Sequence, residues 1–382
     1  MSKIFTGVTI IIAWGDVSMS EFNITKFLCS AVASHASDEH LKAGYSPYIR
    51  KNGIIKKISM EPLTKEDLDT AILSIAPASI KDDILTKTDI DFMYEIKGCS
   101  RFRVNYNRQL GQPALVIRNV PYGIPSLKEL GLPEILDSII NYQNGIILVT
   151  GPTGCGKSTT LASLINSIAL NSAKHIITIE DPIEYVFKSS RSIVSQRQVG
   201  VDTASFSDGI KYALRQDPDV IFIGEIRDTD TMAAALKAAE TGHLVFSTLH
   251  TNDAVQTINR IVNMFEESNR FLVRKQLAET LRATIAQKLV YSKNNDLRYP
   301  ACEIMVVTST IRDYIYKDNL DEIYALLTDN NIDEMVSMNM SLLKLVSEGK
   351  LTEEEALNVS NDENELEKMF RGVYQGTKNI YE

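Results

Sequence analysis

The nine-residue stretch GPTGCGKST, Gly151–Thr159, is the feature that most restricts how this 382-residue chain can fold. It matches the pattern GxxxxGK[ST] and lies between the apolar run GIILVT, Gly145–Thr150, and the amphipathic run STTLASLINSIAL, Ser158–Leu170. A strand, this loop and a helix in that order distinguish a phosphate-binding loop from a chance match. The glycines let backbone N–H groups turn toward phosphate oxygens, and the helix start adds its positive dipole end. The stretch therefore predicts a nucleotide site.

Individual residues of this loop have expected roles. Lys157 is expected to reach the β- and γ-phosphates, and the Ser158 hydroxyl is expected to ligate Mg²⁺. The other expected nucleotide-binding residues of the loop are Gly151, Thr153, Gly154, Cys155, Gly156 and Thr159. The alternative is a glycine-rich turn without a ligand, which the complete strand–loop–helix context disfavours.

Short apolar runs alternate with helical stretches through the middle of the chain. The runs are GIILVT, HIITIE (His175–Glu180), VIFIGE (Val220–Glu225) and HLVFSTL (His243–Leu249). They have the length and composition of buried strands, whereas the run after the loop places Leu161, Leu164, Ile165 and Ile168 on one helical face. This alternation predicts an α/β fold in which helices cover a parallel sheet.

Acidic residues follow two of these predicted strands. Glu225 ends one of them, and ligands of parallel sheets bind at the carboxyl ends of the strands. A carboxylate there can polarise the attacking water or hold the Mg²⁺ shell, although Glu225 can equally be a surface residue paired with Arg227. Glu180, Asp181 and Glu184 follow another strand. Because three carboxylates so close together repel one another, they are typical of a solvated loop. The alternative is a Mg²⁺–ATP site, where the charge of the cation offsets the repulsion.

Two histidines, His243 and His250, flank the run HLVFSTL. If this run is a strand, the two rings lie ~20 Å apart, so they cannot chelate one metal ion. His250 is expected on the nucleotide side, where it can sense the γ-phosphate or orient a catalytic carboxylate. His243 is expected at the opposite end, in a structural role or with a partner across a subunit boundary.

The two ends of the chain have other patterns. The amino-terminal part predicts a helix capped by Asn23 or Ser20, a hairpin turning at Asn52-Gly53, and two strands around Gly111. The stretch NVPYGIPS, residues 119–126, is typical of an interdomain linker. From about residue 308 the pattern predicts helices with acidic surfaces.

Composition disfavours several classes of protein. The net charge of −9 disfavours an obligate nucleic-acid binder. Four widely spaced cysteines contain no CxxC pair, which indicates neither a zinc knuckle nor a redox dithiol. The apolar stretch Val8–Trp14 is about half the length of a membrane helix and lacks the features of a signal peptide. A cytoplasmic protein without a transmembrane segment is expected.

Four motifs taken together resemble one family. The phosphate loop, TIEDPIE, GEIRD and GHLVFSTLHTNDA match in order and spacing the Walker A, Asp box, Walker B and His box of secretion-superfamily ATPases. Within the superfamily the chain resembles the PilT-type ATPases of type IV pilus retraction. The resemblance extends to ASDEHLKAGYSPYIRKNG, RFRVNYNRQLGQPALVIRNVP and LAETLRATIAQKLV, and thus covers nearly the whole chain.

The resemblance implies a domain organisation. It implies an atypical extension at residues 1–18, a PAS-like α+β domain at 19–118, the linker at 119–126, a RecA-like ATPase domain at 127–307 and a helical region at 308–382. Because the similarity begins near Met19, that methionine is a candidate start of the native protein.

The resemblance also implies site residues, cofactors and partners. Glu225 and Glu184 would be catalytic carboxylates, His243 and His250 would be needed for activity, and Arg103 and Arg118 would sense the γ-phosphate. Either arginine can instead be an ordinary strand-surface residue. ATP and Mg²⁺ are the implied cofactors. The implied assembly is a homohexamer at the inner membrane, acting with a pilus platform protein and the pilus machinery, without direct contact to nucleic acid.

The direction of the motor is the open question within this family. Assembly and type II secretion ATPases carry a tetracysteine zinc motif after the His box, where this chain has only Cys302, and a longer amino-terminal extension. Both differences favour retraction. Against it, TIRDY, Thr310–Tyr314, departs from the AIRNL-like motif of retraction ATPases. The remaining alternatives are an assembly, secretion or conjugation ATPase, and a nucleotide-regulated binding module with negligible turnover.

Overall fold

A computed structural model describes residues 22–51, 53–120, 123–328 and 335–372. The chain divides into two compact units, Met1–Pro121 and Tyr122–Glu382. The division falls inside the stretch that the sequence marks as a linker. The predicted extension at residues 1–18, Met19 and the candidate cap Ser20 lie outside the described residues.

The first unit is a six-stranded antiparallel sheet with helices. Its elements are α1 (Ile24–Ala33), β1 (Asp38–Lys42), β2 (Tyr48–Lys51), β3 (Ile54–Lys57), α2 (Lys65–Ile75), a 3₁₀ turn (Ala78–Ile80), α3 (Lys81–Thr86), β4 (Asp89–Ile96), β5 (Ser100–Gln109) and β6 (Gln112–Val120). The strand order is β3-β2-β1-β6-β5-β4. The apolar faces of α1 and α2 form one core with the sheet.

Local chemistry explains where these elements begin and end. The Asn23 side chain accepts a hydrogen bond of 2.9 Å from the Lys26 N–H and so caps α1. Strands β2 and β3 pair in the register Lys51↔Ile54, as a two-residue turn requires, although Asn52 itself lies outside the described residues. Strands β5 and β6 pair around a turn at Leu110-Gly111. The helix cap and both predicted strand pairs are therefore confirmed.

The second unit is built on a seven-stranded sheet. Its strands are β7 (Gly145–Thr150), β8 (His175–Glu180), β9 (Ile193–Gln198), β10 (Val220–Ile223), β11 (Leu244–Leu249), β12 (Leu281–Ser292) and β13 (Leu297–Val306). Their order is β13-β12-β7-β11-β10-β8-β9, and only the pair β12–β13 is antiparallel. The predicted parallel strands are confirmed. Two of them are shorter than expected, so that Glu225 and His243 lie just outside their strands.

Helices cover both faces of this sheet. They are α4 (Leu136–Ile139), α5 (Lys157–Asn171), α6 (Phe206–Ala213), α7 (Thr229–Glu240), α8 (Ala254–Asn263) and α9 (Glu267–Thr280). Side chains of β7 alternate between two cores. Ile146 and Leu148 pack with α6 to α9, whereas Ile147 and Val149 pack with α4 and α5. The sheet is buried on both sides, as its continuous apolar runs indicate.

Five helices follow β13 in the described part of the chain. They are α10 (Ser309–Lys317), α11 (Leu320–Thr328), α12 (Met338–Ser347), α13 (Glu353–Leu357) and α14 (Glu363–Phe370). Gly349 adopts φ 69° after α12, and Thr352 forms a capping box with Glu355 at the start of α13. Both positions agree with the turn and the cap predicted from the sequence. Among all the described helices, none is both long enough and apolar enough to cross a membrane.

Candidate nucleotide site

Four strand ends bring most of the predicted site residues of the second unit to one edge of the sheet. Strands β7, β11, β10 and β8 are consecutive neighbours and run parallel. Gly151, His250 and Glu180 therefore lie at or just beyond the carboxyl end of a strand, and Glu225 lies two residues beyond its own. The Gly224 N–H donates to the Ile179 carbonyl at 2.8 Å, which fixes the chain before Glu225 beside β8.

The phosphate loop follows β7 and leads directly into α5. Gly151 and Gly156 adopt φ values of 140° and 93°, a region that other residues rarely adopt. A Cβ atom at Gly151 would lie 2.3 Å from the backbone oxygen of Gln287, and one at Gly156 would lie 2.9 Å from that residue's Nε2. Glycine is thus required by conformation and by space. Residues 151–156 curl around the amino terminus of α5, the geometry that favours an anion.

Lys157 is the buried cation of this loop. Its side chain folds back, and Nζ donates to the carbonyls of Gly151 at 2.8 Å and Pro152 at 3.0 Å. Burial to 8% exposure lowers the pKa of the ammonium, whereas the charges of Cys155, Glu225 and Glu184 oppose this shift. Lys157 is therefore within electrostatic reach of both predicted catalytic carboxylates.

Glu225 has a cation on one side and an imidazole on the other. Its Oε1 forms an ion pair with Arg227 Nη2, and its Oε2 lies 3.7 Å from His250 Nε2. The Glu225 side chain is 17% exposed, while those of Arg227 and His250 are largely open to solvent. The pairing with Arg227 weighed as an alternative is present, and it coexists with a position at the nucleotide edge. His250 thus lies beside this carboxylate, as the sequence predicts.

A hydrogen-bond network holds the acidic loop after β8. The Glu180 carboxylate is buried and accepts from Thr178 Oγ1 at 2.6 Å and from Gln196 Nε2 at 3.0 Å. Burial raises its pKa to about 7. Gln196 also donates to the Tyr185 carbonyl at 2.8 Å, and the Tyr185 hydroxyl lies 3.0 Å from Thr159 Oγ1 on α5. The segment carrying Glu184 is thereby tied to the phosphate loop's helix.

His243 does not join the other site residues. It precedes β11, whereas His250 follows it, so six strand residues separate them. Its Nδ1 lies 3.0 Å from the Ala238 carbonyl and 3.1 Å from Thr241 Oγ1, at the end of α7. The expected separation of the two histidines is confirmed, and within this chain His243 packs against the turn after α7.

The two predicted arginines belong to the first unit. Arg103 on β5 and Arg118 on β6 are cross-strand partners. Arg118 Nε is bonded to Asp38 Oδ1 at 2.9 Å, and Arg103 Nε lies 3.8 Å from Asp91 Oδ1. Each arginine thus has a carboxylate neighbour within its own unit.

Sequence reasoning missed three polar residues that shape this site. Gln196 binds Glu180, while Gln287 and Thr160 bind each other behind the phosphate loop. A polar residue within an apolar strand pattern is the signal that marks Gln287, in the run ATIAQKLV. Thr160 directly follows the matched motif, and its position on the buried face of α5 is not evident from GKST alone.

Comparisons with known proteins identify the family of the chain. The family described as "Type II/IV secretion system protein" matches residues 16–380. The type IV pilus retraction ATPase PilT of Pseudomonas aeruginosa is 40% identical over 335 residues, which is 87% of this chain and 97% of the relative. A twitching motility protein of Neisseria gonorrhoeae is 38% identical over 88% of this chain and 90% of its own length. The crystal structure of the pilus retraction motor PilT with bound ADP is matched with a TM-score of 0.84 at 43% identity, covering 91% of this chain and all of the other.

Proposed function

The chain belongs to the type II/IV secretion system protein family and is an ATPase of the type IV pilus retraction kind, and we propose that it works as a Mg²⁺-dependent homohexameric motor. The observation that carries the proposal is the convergence of Lys157, Glu225 and His250 at one edge of the parallel sheet. A buried cation, a carboxylate and an imidazole in that arrangement suit phosphoryl transfer to water.

The phosphate loop supplies the binding part of the mechanism. The backbone N–H groups of residues 153–156 and of the start of α5 would donate to the β- and γ-phosphates, and Lys157 would exchange its loop carbonyls for phosphate oxygens. Gly151 and Gly156 support this fit, because a side chain at either position would collide with Gln287 and displace the loop from its curled conformation. The Ser158 hydroxyl and the nearby carboxylates are the oxygen ligands that Mg²⁺ prefers. When bound, Mg²⁺ neutralises charge that develops on the phosphates.

The carboxylates supply the hydrolytic part. Glu225 polarises the attacking water, and His250, 3.7 Å away, orients the carboxylate. Arg227 forms an ion pair with the other oxygen of the same carboxylate. Release of Arg227 from this ion pair would make Glu225 a stronger base. Glu184, held near the loop through Tyr185 and Thr159, provides the second carboxylate.

The remaining assignments are proposed at the level of the assembly. The first unit acts as a PAS-like domain and the second as a RecA-like domain with a helical carboxyl-terminal region, joined by the linker at residues 119–126. Arg103 and Arg118 sense the γ-phosphate in the assembled motor. His243, outside the site of its own chain, contacts a neighbouring subunit. The ring works in the cytoplasm against a pilus platform protein of the inner membrane and withdraws pilin subunits.

Phosphate release measured on the purified chain tests the proposal. We expect Mg²⁺-dependent ATP turnover by the wild type, and a loss of at least about 100-fold in Lys157→Ala, as is typical when a key charge stabiliser is removed. Lys211→Ala is the matched control, because Lys211 lies exposed on α6 of the same unit and should leave turnover unchanged. Wild-type turnover in Lys157→Ala would refute the site assignment.

A further inference from the structure

Gln287 lies directly behind the phosphate loop. It belongs to β12, the neighbour of β7, and is only 3% exposed. Its side-chain Nε2 donates to the Cys155 carbonyl at 2.6 Å, and its Oε1 accepts from the Thr160 hydroxyl at 2.8 Å. One amide therefore bridges the middle of the loop and the first turn of α5.

This bridge fixes the orientation of one peptide unit of the loop. The Cys155 carbonyl and the Gly156 N–H belong to the same planar trans peptide, so the two groups point in opposite directions. By holding the carbonyl toward β12, Gln287 holds the Gly156 N–H away from β12. A loop that binds phosphate through its N–H groups needs this orientation before the ligand arrives.

The backbone of Gln287 also contributes to the fit. Its backbone oxygen lies 2.3 Å from the position that a Cβ of Gly151 would take, and its side-chain Nε2 lies 2.9 Å from that of a Cβ of Gly156. Residues 151 and 156 thus rest on this one position of β12. A primary amide suits the position, because it offers a donor for the carbonyl and an acceptor for the hydroxyl at the same time.

We propose that Gln287 is a positioning residue for the nucleotide: it preorganises the phosphate loop through the Cys155 carbonyl and Thr160, without touching the ligand. The inference rests on the proposed nucleotide site. The competing explanation is a buried polar residue that stabilises the fold but leaves nucleotide affinity unchanged. The two explanations differ in what they predict for binding by the folded protein.

Gln287→Met tests the inference in the full-length chain. Methionine keeps the volume of the side chain and loses both hydrogen bonds. The loop then has to become ordered when the nucleotide binds, which weakens the binding. We expect the Kd for ADP and the KM for ATP to rise about tenfold, because two hydrogen bonds are lost. We expect kcat to stay within about threefold, since an ordered loop serves ground state and transition state alike. Thr284→Val is the matched control, a buried polar change on β12 whose hydroxyl bonds no side chain of the loop.

Thr160→Val gives an independent arm. It removes the donor to Gln287 Oε1 and should raise the Kd for ADP about threefold, by the usual worth of one hydrogen bond. Combined with Gln287→Met it should add little, because both changes break the same bridge. A folded Gln287→Met with wild-type Kd would overturn the inference. If that variant fails to fold, an unchanged Kd in Thr160→Val would overturn it. Absence of ATP turnover in the wild type would instead refute the proposed function, and ADP affinity would still report on Gln287.

Discussion

Charge balance around Lys157 governs the nucleotide site at the scale of single residues. Burial lowers the pKa of this ammonium, and the nearby carboxylates Glu225 and Glu184 partly restore it. Removing either carboxylate changes the electrostatic environment of Lys157. Neutral side chains of the same shape are therefore the informative substitutions.

Glu225→Gln separates nucleotide binding from hydrolysis. The amide keeps the shape of the side chain but can neither accept a proton from water nor pair with Arg227. We expect ATP to remain bound while its turnover falls by about 100-fold or more, within the usual contribution of a general base. Single-turnover phosphate release and nucleotide retention measure the two effects. Glu240→Gln, at the exposed end of α7, is the control, and equal loss in both variants would contradict the role of Glu225.

Glu180 makes stability depend on pH. Burial raises its pKa from an ordinary 4.5 to about 7, so the folded state keeps a proton that the unfolded chain releases. The contribution of the Glu180 proton to the free energy of unfolding is fully present below pH 4.5 and is lost as the pH rises through about 7. Glu180→Gln mimics the protonated form and should match the wild type at pH 4.5. By pH 8 it should be more stable by about 3 kcal/mol. Denaturant unfolding of both proteins at the two pH values measures this difference. If the difference in the free energy of unfolding between the wild type and Glu180→Gln were the same at both pH values, the assignment would be contradicted.

Sequence and structure agree best for residues fixed by local pattern. Lys157, Ser158 and Glu225 are identifiable because their positions follow from a motif or a strand end. Gln196 and Gln287 are not, because the sheet brings them to the site from β9 and β12, and Gln287 is 127 residues from its partner Thr160. Pairing between strands so distant in the chain is not encoded in either strand's own pattern. Only the polar interruption of an apolar run indicates such a residue.

At the scale of elements, short apolar runs predicted strands where both faces are buried. Strands β7 and β8 have the predicted limits, because each run is followed by a loop, the phosphate loop after β7 and the acidic loop after β8. Strand β9 escaped prediction because IVSQRQ is largely polar, as suits a strand at the edge of the sheet. The pairing of β12 with β7 was also not predicted, since nothing local in LRATIAQKLVYS says which strand it joins.

The turn between β5 and β6 provides a test of element stability. Leu110 and Gly111 have φ values of 51° and 74°, a two-residue turn in which both positions are left-handed. Leucine is strained there, and its side chain is 92% exposed, so no packing is lost on replacement. Leu110→Asn should raise the free energy of unfolding of the first unit by about 1 kcal/mol. Leu110→Ala keeps the strain and should change it little. Denaturant unfolding would contradict this explanation if the two variants were equally stable.

At the scale of the whole molecule, the expected functional residues are distributed over both units. Lys157, Glu225 and His250 converge within the second unit, whereas Arg103 and Arg118 belong to the first unit and His243 lies at the far end of β11. The boxes predict the chemistry of one chain, while assembly and the direction of work are not encoded in them.

The most direct test of the central claim is a count of surface pili by electron microscopy in the source organism after deletion of this gene. The strain is complemented with the wild type or with Glu225→Gln. A retraction motor predicts excess pili and loss of surface motility, restored by the wild type and not by Glu225→Gln. Bald cells would contradict retraction and identify an assembly motor, and an unchanged number of pili would contradict a role in pilus dynamics.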